Sequence, residues 1–237
     1  MASPPLAGGA ATRSYSLELR ATSEGGASVR EHLPSMHLPC FCPERHINPD
    51  GTFCIYYGSE SALVNEDGVA AWWESLAAFL NNQQYAEKRH VWPLASGLSH
   101  GDAAHHQLEM EAIADPLGWK DEILSSMFRS RGWLAGRLPR ACKQLVRVLN
   151  VRMPCPRGCT RKHRLLRRAS CEIDSCTPGC RRIHKPILRA DCPHRNAVED
   201  LVLHEYRRRR LEAEFFKALR TAGHQCCGTM KGCPLAK

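Results

Sequence analysis

One segment of the chain combines a cysteine, an amide side chain and a tight turn in a way that suits acyl transfer. Residues 45–55 read RHINPDGTFCI, and the letters NPDG at 48–51 are typical of a turn. Beyond the turn, the β-prone run 52–55 holds Cys54 at a fixed distance from the bend, beside Asn48. A thiol in that place can accept an acyl group while an amide stabilises the oxyanion. On these residues alone, a structural cysteine buried in a hairpin is the alternative.

Strands on the N-terminal side must position this turn. Residues 14–21 alternate apolar and polar side chains, which predicts a half-buried strand. The letters EGG at 24–26 predict a turn into a second strand over 27–33. Residues 35–42 supply a third predicted strand that leads into the Cys54 segment. The sequence therefore predicts an antiparallel meander sheet.

Four helices are predicted to follow the turn. The apolar residues of 68–82 recur on one face at helical spacing, and Asp67 is placed to cap that helix. Residues 102–114, 121–130 and 138–150 form the other predicted helices. Together with the meander they give an α+β domain of sheet and packed helices.

Three histidines follow the first predicted helix. His100, His105 and His106 lie on a loop and on the start of the next helix. Imidazoles there could transfer protons near Cys54 or bind a metal ion. Exposed or helix-packing histidines are the alternative, because no acidic or thiol ligand lies at a convincing spacing.

Composition limits the class of protein. At 237 residues the chain can bury a substantial core. Residues 1–13 lack the apolar stretch of a signal peptide, and no apolar run reaches transmembrane length. We therefore expect a cytoplasmic protein that does not enter a membrane. In that compartment, its 13 cysteines favour metal binding or catalysis over disulfides.

Charge and cysteines divide the chain into two parts. Residues 151–237 hold 20 Lys and Arg against 8 Asp and Glu, whereas residues 1–150 hold 13 against 16. Nine of the cysteines also lie in the second part. Such asymmetry indicates units with different partners. We predict a flexible tail over 1–13, one domain over 14–150 and a cysteine-rich module over 151–237.

The second part contains an internal repeat of metal-ligating residue types. Residues 155–171 and 176–192 both follow the pattern C-x3-C-x3-H-x7-C and are offset by 21 residues. Each copy supplies three thiolates and one imidazole, a donor set of tetrahedral structural zinc. Two zinc ions are expected, bound one per copy or in a cross-braced arrangement. The predicted ligands are Cys155, Cys159, His163, Cys171, Cys176, Cys180, His184 and Cys192.

A long helix and a short tail complete the module. Asn196 and Glu199 form a capping box and Gly223 suits a C-terminal end, so the sequence predicts a helix between them. The residues that could form a third metal site in the tail, or remain as unligated side chains, are His224, Cys226, Cys227 and Cys233.

The turn segment resembles a known family. His46, Asn48, Asp-Gly at 50–51 and Cys54 are similar to the His-Pro-Asn … Gly … Cys signature of ubiquitin-conjugating enzymes, with Ile47 in place of the proline. The resemblance is closer to the prokaryotic branch of that family. Its members are encoded in bacterial antiphage operons beside a ubiquitin-like protein, an activating enzyme and a metal-dependent isopeptidase.

This resemblance implies a conjugating-enzyme domain with a fused cysteine-rich zinc module and a part in antiviral defence. Cys54 would carry the ubiquitin-like protein as a thioester, Asn48 would stabilise the tetrahedral intermediate and His46 would take the structural histidine position. His100 would lie at the rim of the active site. The implied partners are the ubiquitin-like protein, an activating-enzyme-like protein and a protein target.

Functions of different classes remain open at this point. The first is a transferase that carries the modifier on Cys54 and passes it to an amine, with the zinc module recruiting a target or partner. The second is an adaptor without catalysis, whose basic zinc module binds nucleic acid or protein. A cysteine hydrolase that uses Cys54 with one of the histidines is the third.

Overall fold

The computed structural model describes residues 13–21, 26–32, 37–55, 65–149 and 194–236. The strands are β1 (Leu17–Ala21) and β2 (Ala27–Glu31), and the helices are α1 (Glu66–Arg89), α2 (Ala103–Ala114), α3 (Lys120–Arg129) and α4 (Arg195–Thr221). Short 3-10 turns lie at Pro43–Arg45, Leu94–Ser96 and Asp115–Leu117. The described residues thus mix helix and a small antiparallel sheet, as an α+β chain does.

The sheet is smaller than the predicted meander. Strands β1 and β2 pair antiparallel, with Leu17 opposite Glu31 and Ala21 opposite Ala27. Among the described residues, the antiparallel order then continues only as single pairs, which are Arg30 with Thr52, Phe53 with Ile47, and Ile47 with Cys42. The strand predicted over 35–42 is wrong for its described residues, of which only Cys42 pairs. Pro39 lies within that stretch and Pro43 follows it, and a proline has no N–H to donate to a neighbouring strand.

Helix α1 supports the sheet from one side. It contains the predicted helix 68–82 but begins earlier, because the side chain of Asn65 accepts a hydrogen bond from the Gly68 N–H at 2.8 Å. The predicted cap Asp67 is therefore wrong, and this residue lies inside the first turn. The buried face of the helix meets the sheet where the rings of Phe79 and Phe53 stack with centroids 4.7 Å apart.

The described residues form two compact units. The first comprises residues of 13–96 and 215–236, and the second comprises residues of 97–149 and 194–214. The domain boundary predicted between 150 and 151 falls at the edge of 150–193, outside the described residues, and stays a prediction. None of the helices in the described part of the chain is long and apolar enough to cross a membrane.

The core of the second unit lies between helices. Its fully buried side chains include Met110 of α2, Ile123 of α3 and Leu201 of α4. Trp119, which lies between α2 and α3 in the sequence, is also fully buried there. The predicted helices over 102–114 and 121–130 are confirmed as α2 and α3, and the predicted C-terminal helix is confirmed as α4. Its predicted capping box is wrong, because the helix begins at Arg195, Asn196 lies inside the first turn and Glu199 accepts the Val148 N–H.

The helix predicted over 138–150 is wrong. Residues 138–149 instead fold back on themselves, with Ala141 paired to Val148 and the Cys142 N–H donating to the Arg147 carbonyl at 3.0 Å. The helical spacing of apolar residues misled the prediction, because Val146 and Leu149 are exposed to 69% and 55%. Contacts from α4 hold the alternative conformation, since Glu199 accepts the Val148 N–H at 2.7 Å.

Candidate active site

The predicted turn is confirmed and carries Cys54 on its second arm. The Gly51 N–H donates to the Asn48 carbonyl at 2.9 Å, and the Asn48 N–H donates to the Thr52 carbonyl at 2.8 Å. Gly51 has φ 81°, a left-handed conformation that favours glycine. Further along, the Cys54 N–H donates to the His46 carbonyl at 2.8 Å, so the two arms pair as a tight hairpin.

Asn48 and Cys54 lie on the same face of this hairpin. Ile47 and Phe53 are 2% and 7% exposed and point into the core, and side chains alternate between the faces of paired strands. Asn48, Thr52 and Cys54 therefore occupy the other face. The Asn48 Nδ2 donates to the Thr52 Oγ1 at 3.0 Å, which places the amide over the arm that carries the cysteine.

Asp50 fixes the position of Thr52. Its Oδ1 accepts hydrogen bonds from the Thr52 N–H at 3.0 Å and from the Thr52 Oγ1 at 2.7 Å. Burial acts to raise the pKa of Asp50, but the hydrogen bonds from Thr52 outweigh it and lower the pKa below its ordinary value. The ionised carboxylate thus orients the hydroxyl that accepts from Asn48.

The Cys54 thiol is half-buried, and this burial raises its pKa above the ordinary value. An ordinary cysteine, with a pKa of about 8.5, is mainly protonated at neutral pH, and the environment of Cys54 shifts the balance further toward the thiol. Acyl transfer through this sulfur therefore depends on a proton acceptor supplied with the reaction partner or from the protein.

His46 lies on the first arm of the hairpin, opposite Cys54. It is buried and left-handed with φ 54°, and its ring lies 5.0 Å from that of Trp92. Its backbone carbonyl is the acceptor for Cys54, as described above. The structural role that the resemblance implied for the His46 side chain stays a prediction.

Sequence reasoning missed the buried pair that anchors the start of the segment. Arg45 is 2% exposed, and its Nε donates to the Gln83 Oε1 at 2.7 Å. The Gln83 Nε2 returns a hydrogen bond to the Arg45 carbonyl at 2.6 Å. A signal did exist, because Gln83 lies seven residues after Leu76 on the apolar face of α1.

His100 belongs to the second unit and is held by a charged cluster. Its Nδ1 lies 2.7 Å from the Glu212 Oε1, and the Arg208 Nη1 donates to the other oxygen of that carboxylate at 2.8 Å. Burial acts to raise the pKa of Glu212, but the hydrogen bonds and charges of His100 and Arg208 lower it overall. The predicted role of His100 at the active-site rim stays a prediction.

The two neighbouring histidines differ in exposure. His105 is exposed, whereas the His106 Nδ1 lies 3.2 Å from the Nδ1 of His204 on α4. Burial, and then the charges of His204 and His105, lower the pKa of His106 to about 4. His106 is therefore a neutral helix-packing histidine at physiological pH, one of the alternatives left open by the sequence.

The predicted zinc ligands lie at 155–192, outside the described residues. Within the described ranges, no group of three or more Cys, His, Asp or Glu side chains is arranged to hold a metal ion. The four tail residues of the predicted third metal site are among these described residues. The sulfur of one of them, Cys227, faces Cys42. The three thiolates and one imidazole in each repeat still have the donor chemistry that zinc requires.

Comparison with known families gives two matches. Residues 5–94 match a model of the prokaryotic E2 domain, E2-ntca, and residues 168–235 match a model of the cysteine-rich domain that lies C-terminal to an E2 domain. No curated protein and no solved structure matches the chain. The first match contains the Cys54 hairpin, and the second begins within the metal-ligand repeat and extends through α4 and most of the tail.

Proposed function

We propose that this chain, which carries a prokaryotic E2 domain followed by a cysteine-rich domain, holds a ubiquitin-like protein as a thioester on Cys54 and transfers it to an amine. The observation that carries the proposal is the hairpin of the E2 domain. It places a thiol and a hydrogen-bonded carboxamide on one face of a short turn. Such a pair meets the needs of acyl transfer.

The proposed reaction has two steps. The Cys54 sulfur, as thiolate, attacks the modifier carbonyl held by the activating enzyme, so that a new C–S bond forms and the thiolate of that enzyme leaves. An amine of the target then attacks the same carbonyl, which forms the C–N bond, releases Cys54 and gives up a proton. Both steps pass through a tetrahedral oxyanion, for which the Asn48 amide is the proposed donor.

Two histidines are proposed to contribute to the reaction. His46 shapes the hairpin through its carbonyl, and His100 is the proposed residue for proton transfer. Replacement of His100 by glutamine tests this role, because it should slow transfer to the amine while leaving formation of the thioester intact. Equal loss in both steps, or in neither, would remove His100 from the site.

The cysteine-rich domain is proposed to bind structural zinc and to recruit a target or partner protein. Its ligands would be the two Cys₃His sets at 155–171 and 176–192. Bound zinc supplies folding free energy, on the order of 10 kcal/mol in zinc-finger peptides. Elemental analysis of the purified chain should find two zinc ions per molecule, and fewer than two would contradict the paired sites.

Reconstitution tests the proposed thioester. The chain is incubated with ubiquitin-like protein, activating enzyme and ATP, and the products are separated without reductant. We expect an adduct that disappears on addition of a thiol and that Cys54→Ala abolishes. Cys40→Ala is the matched control, because Cys40 is exposed and lies in the same segment. Loss of the adduct in the control variant, or its persistence in Cys54→Ala, would contradict the proposal.

An adaptor that binds nucleic acid is the second candidate. The net charge of +12 over residues 151–237 favours it, because Lys and Arg contacts to phosphate give sequence-independent affinity. Binding to DNA or RNA that weakens steeply with salt, together with no thioester under any condition, would support this candidate over the transferase.

A further inference from the structure

Two cysteines far apart in the sequence meet inside the first unit. The sulfur atoms of Cys42 and Cys227 lie 2.9 Å apart although 185 positions separate the residues. Cys42 is fully buried, Cys227 is half-buried, and neither forms a disulfide. The hydroxyl of Thr229 lies 3.0 Å from the Cys227 sulfur on its other side.

The environment makes the two sulfurs chemically different. The hydrogen bond with Cys42 lowers the pKa of Cys227 to about 5, against the opposing effect of burial, and hydrogen bonds from Thr229 add to it. The same contact, followed by burial, raises the pKa of Cys42. Cys227 is also the more accessible of the two sulfurs, since Cys42 is fully buried. Oxidation-sensitive cysteines have this arrangement, an accessible sulfur with a second cysteine within reach to resolve it.

We propose that Cys42 and Cys227 form a reversible oxidation site whose substrate is a hydroperoxide. The Cys227 sulfur attacks the outer oxygen of the peroxide, the O–O bond breaks, and the departing oxygen takes a proton to leave as water or an alcohol. Cys227 is then a sulfenic acid. The Cys42 sulfur attacks it, the S–S bond forms, the S–O bond breaks and water leaves. Two thiols are oxidised while the peroxide is reduced.

Of the other described cysteines, Cys54 and Cys233 are poorly placed to compete. Burial raises the pKa of Cys54 and, with the neighbouring Cys226, raises the pKa of Cys233 to about 12. These thiols remain protonated at neutral pH and react slowly with peroxide. Cys40 is exposed, but the Cys227 sulfur faces Cys42 and not Cys40.

The disulfide would connect the tail to the segment that precedes the active-site hairpin. Cys42 and Ile47 exchange two backbone hydrogen bonds, of 3.1 Å and 3.0 Å, and Ile47 pairs with Phe53 on the arm that leads to Cys54. The oxidised bond would thus fix the tail against the base of the hairpin without consuming the Cys54 sulfur. The proposal does not depend on the thioester reaction.

Peptide mapping of the full chain tests this site. The purified protein is treated with hydrogen peroxide at neutral pH, its remaining thiols are blocked with N-ethylmaleimide, and it is digested with trypsin. We expect residues 31–45 and 221–231 to appear as one linked peptide that dithiothreitol separates. Cys227→Ser should remove the linked peptide. Cys40→Ser and Cys226→Ser, which change the other cysteines of the same two peptides, should retain it.

Two outcomes would overturn the proposal. The first is recovery of peptides 31–45 and 221–231 separately, each with every cysteine blocked, after peroxide treatment of a protein whose circular dichroism is unchanged. The second is a linked peptide that forms only after a chelator has removed a bound metal, because the two sulfurs would then be metal ligands and not a thiol pair.

Discussion

At the scale of single residues, the properties of Cys54 follow from its place on the second arm of the hairpin. Its backbone N–H is committed to the His46 carbonyl, and its side chain is half-buried. Burial raises the pKa of the thiol because the charged thiolate loses hydration. The protonated thiol is thereby favoured over the reactive thiolate at neutral pH.

The alkylation rate of Cys54 should rise at a higher pH than the rate of an ordinary cysteine. The rate of its reaction with iodoacetamide is expected to reach half its maximum above the ordinary cysteine pKa of about 8.5, because only the thiolate reacts. Mass spectrometry of the peptide that contains Cys54 measures the rate at each pH. In the same samples, Cys227 should already react near pH 6, since its pKa lies at about 5. A Cys54 midpoint at or below 8.5 would contradict the assigned environment.

Thr52 should act as a positioning residue through Asn48. Thr52→Val removes the hydroxyl that accepts from the amide, and loss of one such hydrogen bond costs about 1 kcal/mol, or roughly fivefold in rate. We expect transfer from the thioester to free lysine to slow by that factor while the yield of thioester is retained. Thr52→Ser keeps the hydroxyl and is the matched control. An unchanged rate in Thr52→Val would show that the amide needs no support.

At the scale of elements, α4 stabilises the second unit through a buried charged cluster. Glu205 is 1% exposed and accepts from Arg208 and Arg209, and Arg208 also bonds Glu212. Burial acts to lower the pKa of Arg208, but the two carboxylates outweigh it and raise the pKa. Breaking a buried pair leaves an uncompensated charge, whereas exposed pairs contribute little.

A matched pair of substitutions on α4 compares the contribution of a buried ion pair with that of an exposed one. Glu205→Gln should lower the free energy of unfolding by about 3 kcal/mol, because Arg208 stays buried after the loss of its main partner. Glu214 pairs with Arg210, and the Glu214 side chain is 62% exposed. Glu214→Gln should therefore lower the free energy of unfolding by less than about 0.5 kcal/mol. Urea unfolding followed by tryptophan fluorescence measures both. Similar values for the two variants would contradict the importance of the buried cluster.

The contact of His106 with His204 predicts sensitivity to acid. The pKa of His106 is about 4 in the folded chain and about 6.5 when unfolded, so the unfolded state binds more protons between these values. Stability should therefore fall as the pH drops from about 6.5 toward 4. The surrounding charged groups are His105, His204, Arg207 and Glu109.

Acid unfolding of two histidine variants checks this dependence. His106→Asn removes the titrating ring and should flatten the loss of stability across that pH range, as measured by urea unfolding at several pH values. His105→Asn, at an exposed position of the same helix, removes only a smaller contribution than burial to the pKa shift of His106, and should leave most of the dependence in place. A steep loss that persists in His106→Asn would place the acid-sensitive group elsewhere.

The elements also show which parts of the fold could be predicted from the sequence alone. Local signals were sufficient for the turn at 48–51 and for α1 to α3, because turn residues and apolar spacing act over a few neighbours. The same spacing failed at 138–149, where hydrogen bonds from α4 fix a folded-back loop. Arg45 and Gln83 could not be paired in advance, since apolar spacing indicates only that Gln83 is buried and 37 residues lie between the two partners.

At the scale of the whole molecule, the E2 domain and the cysteine-rich domain differ in charge and in cysteine content. The +12 charge of residues 151–237 suits a domain that docks on an acidic partner, while the hairpin of the E2 domain contains the proposed chemistry. Cys42 and Cys227 are 185 positions apart in the sequence. Their contact could not be predicted from the sequence of either domain alone.

The most direct test of the central claim is the chemical linkage formed at position 54. In the Cys54→Ser variant, the same reaction should yield an oxyester, which resists thiols but is cleaved by hydroxide. Intact-mass spectrometry should find the mass of the modifier less one water, and peptide mapping should locate the bond at position 54. An unmodified chain, or a modifier attached to any other residue, would contradict the account.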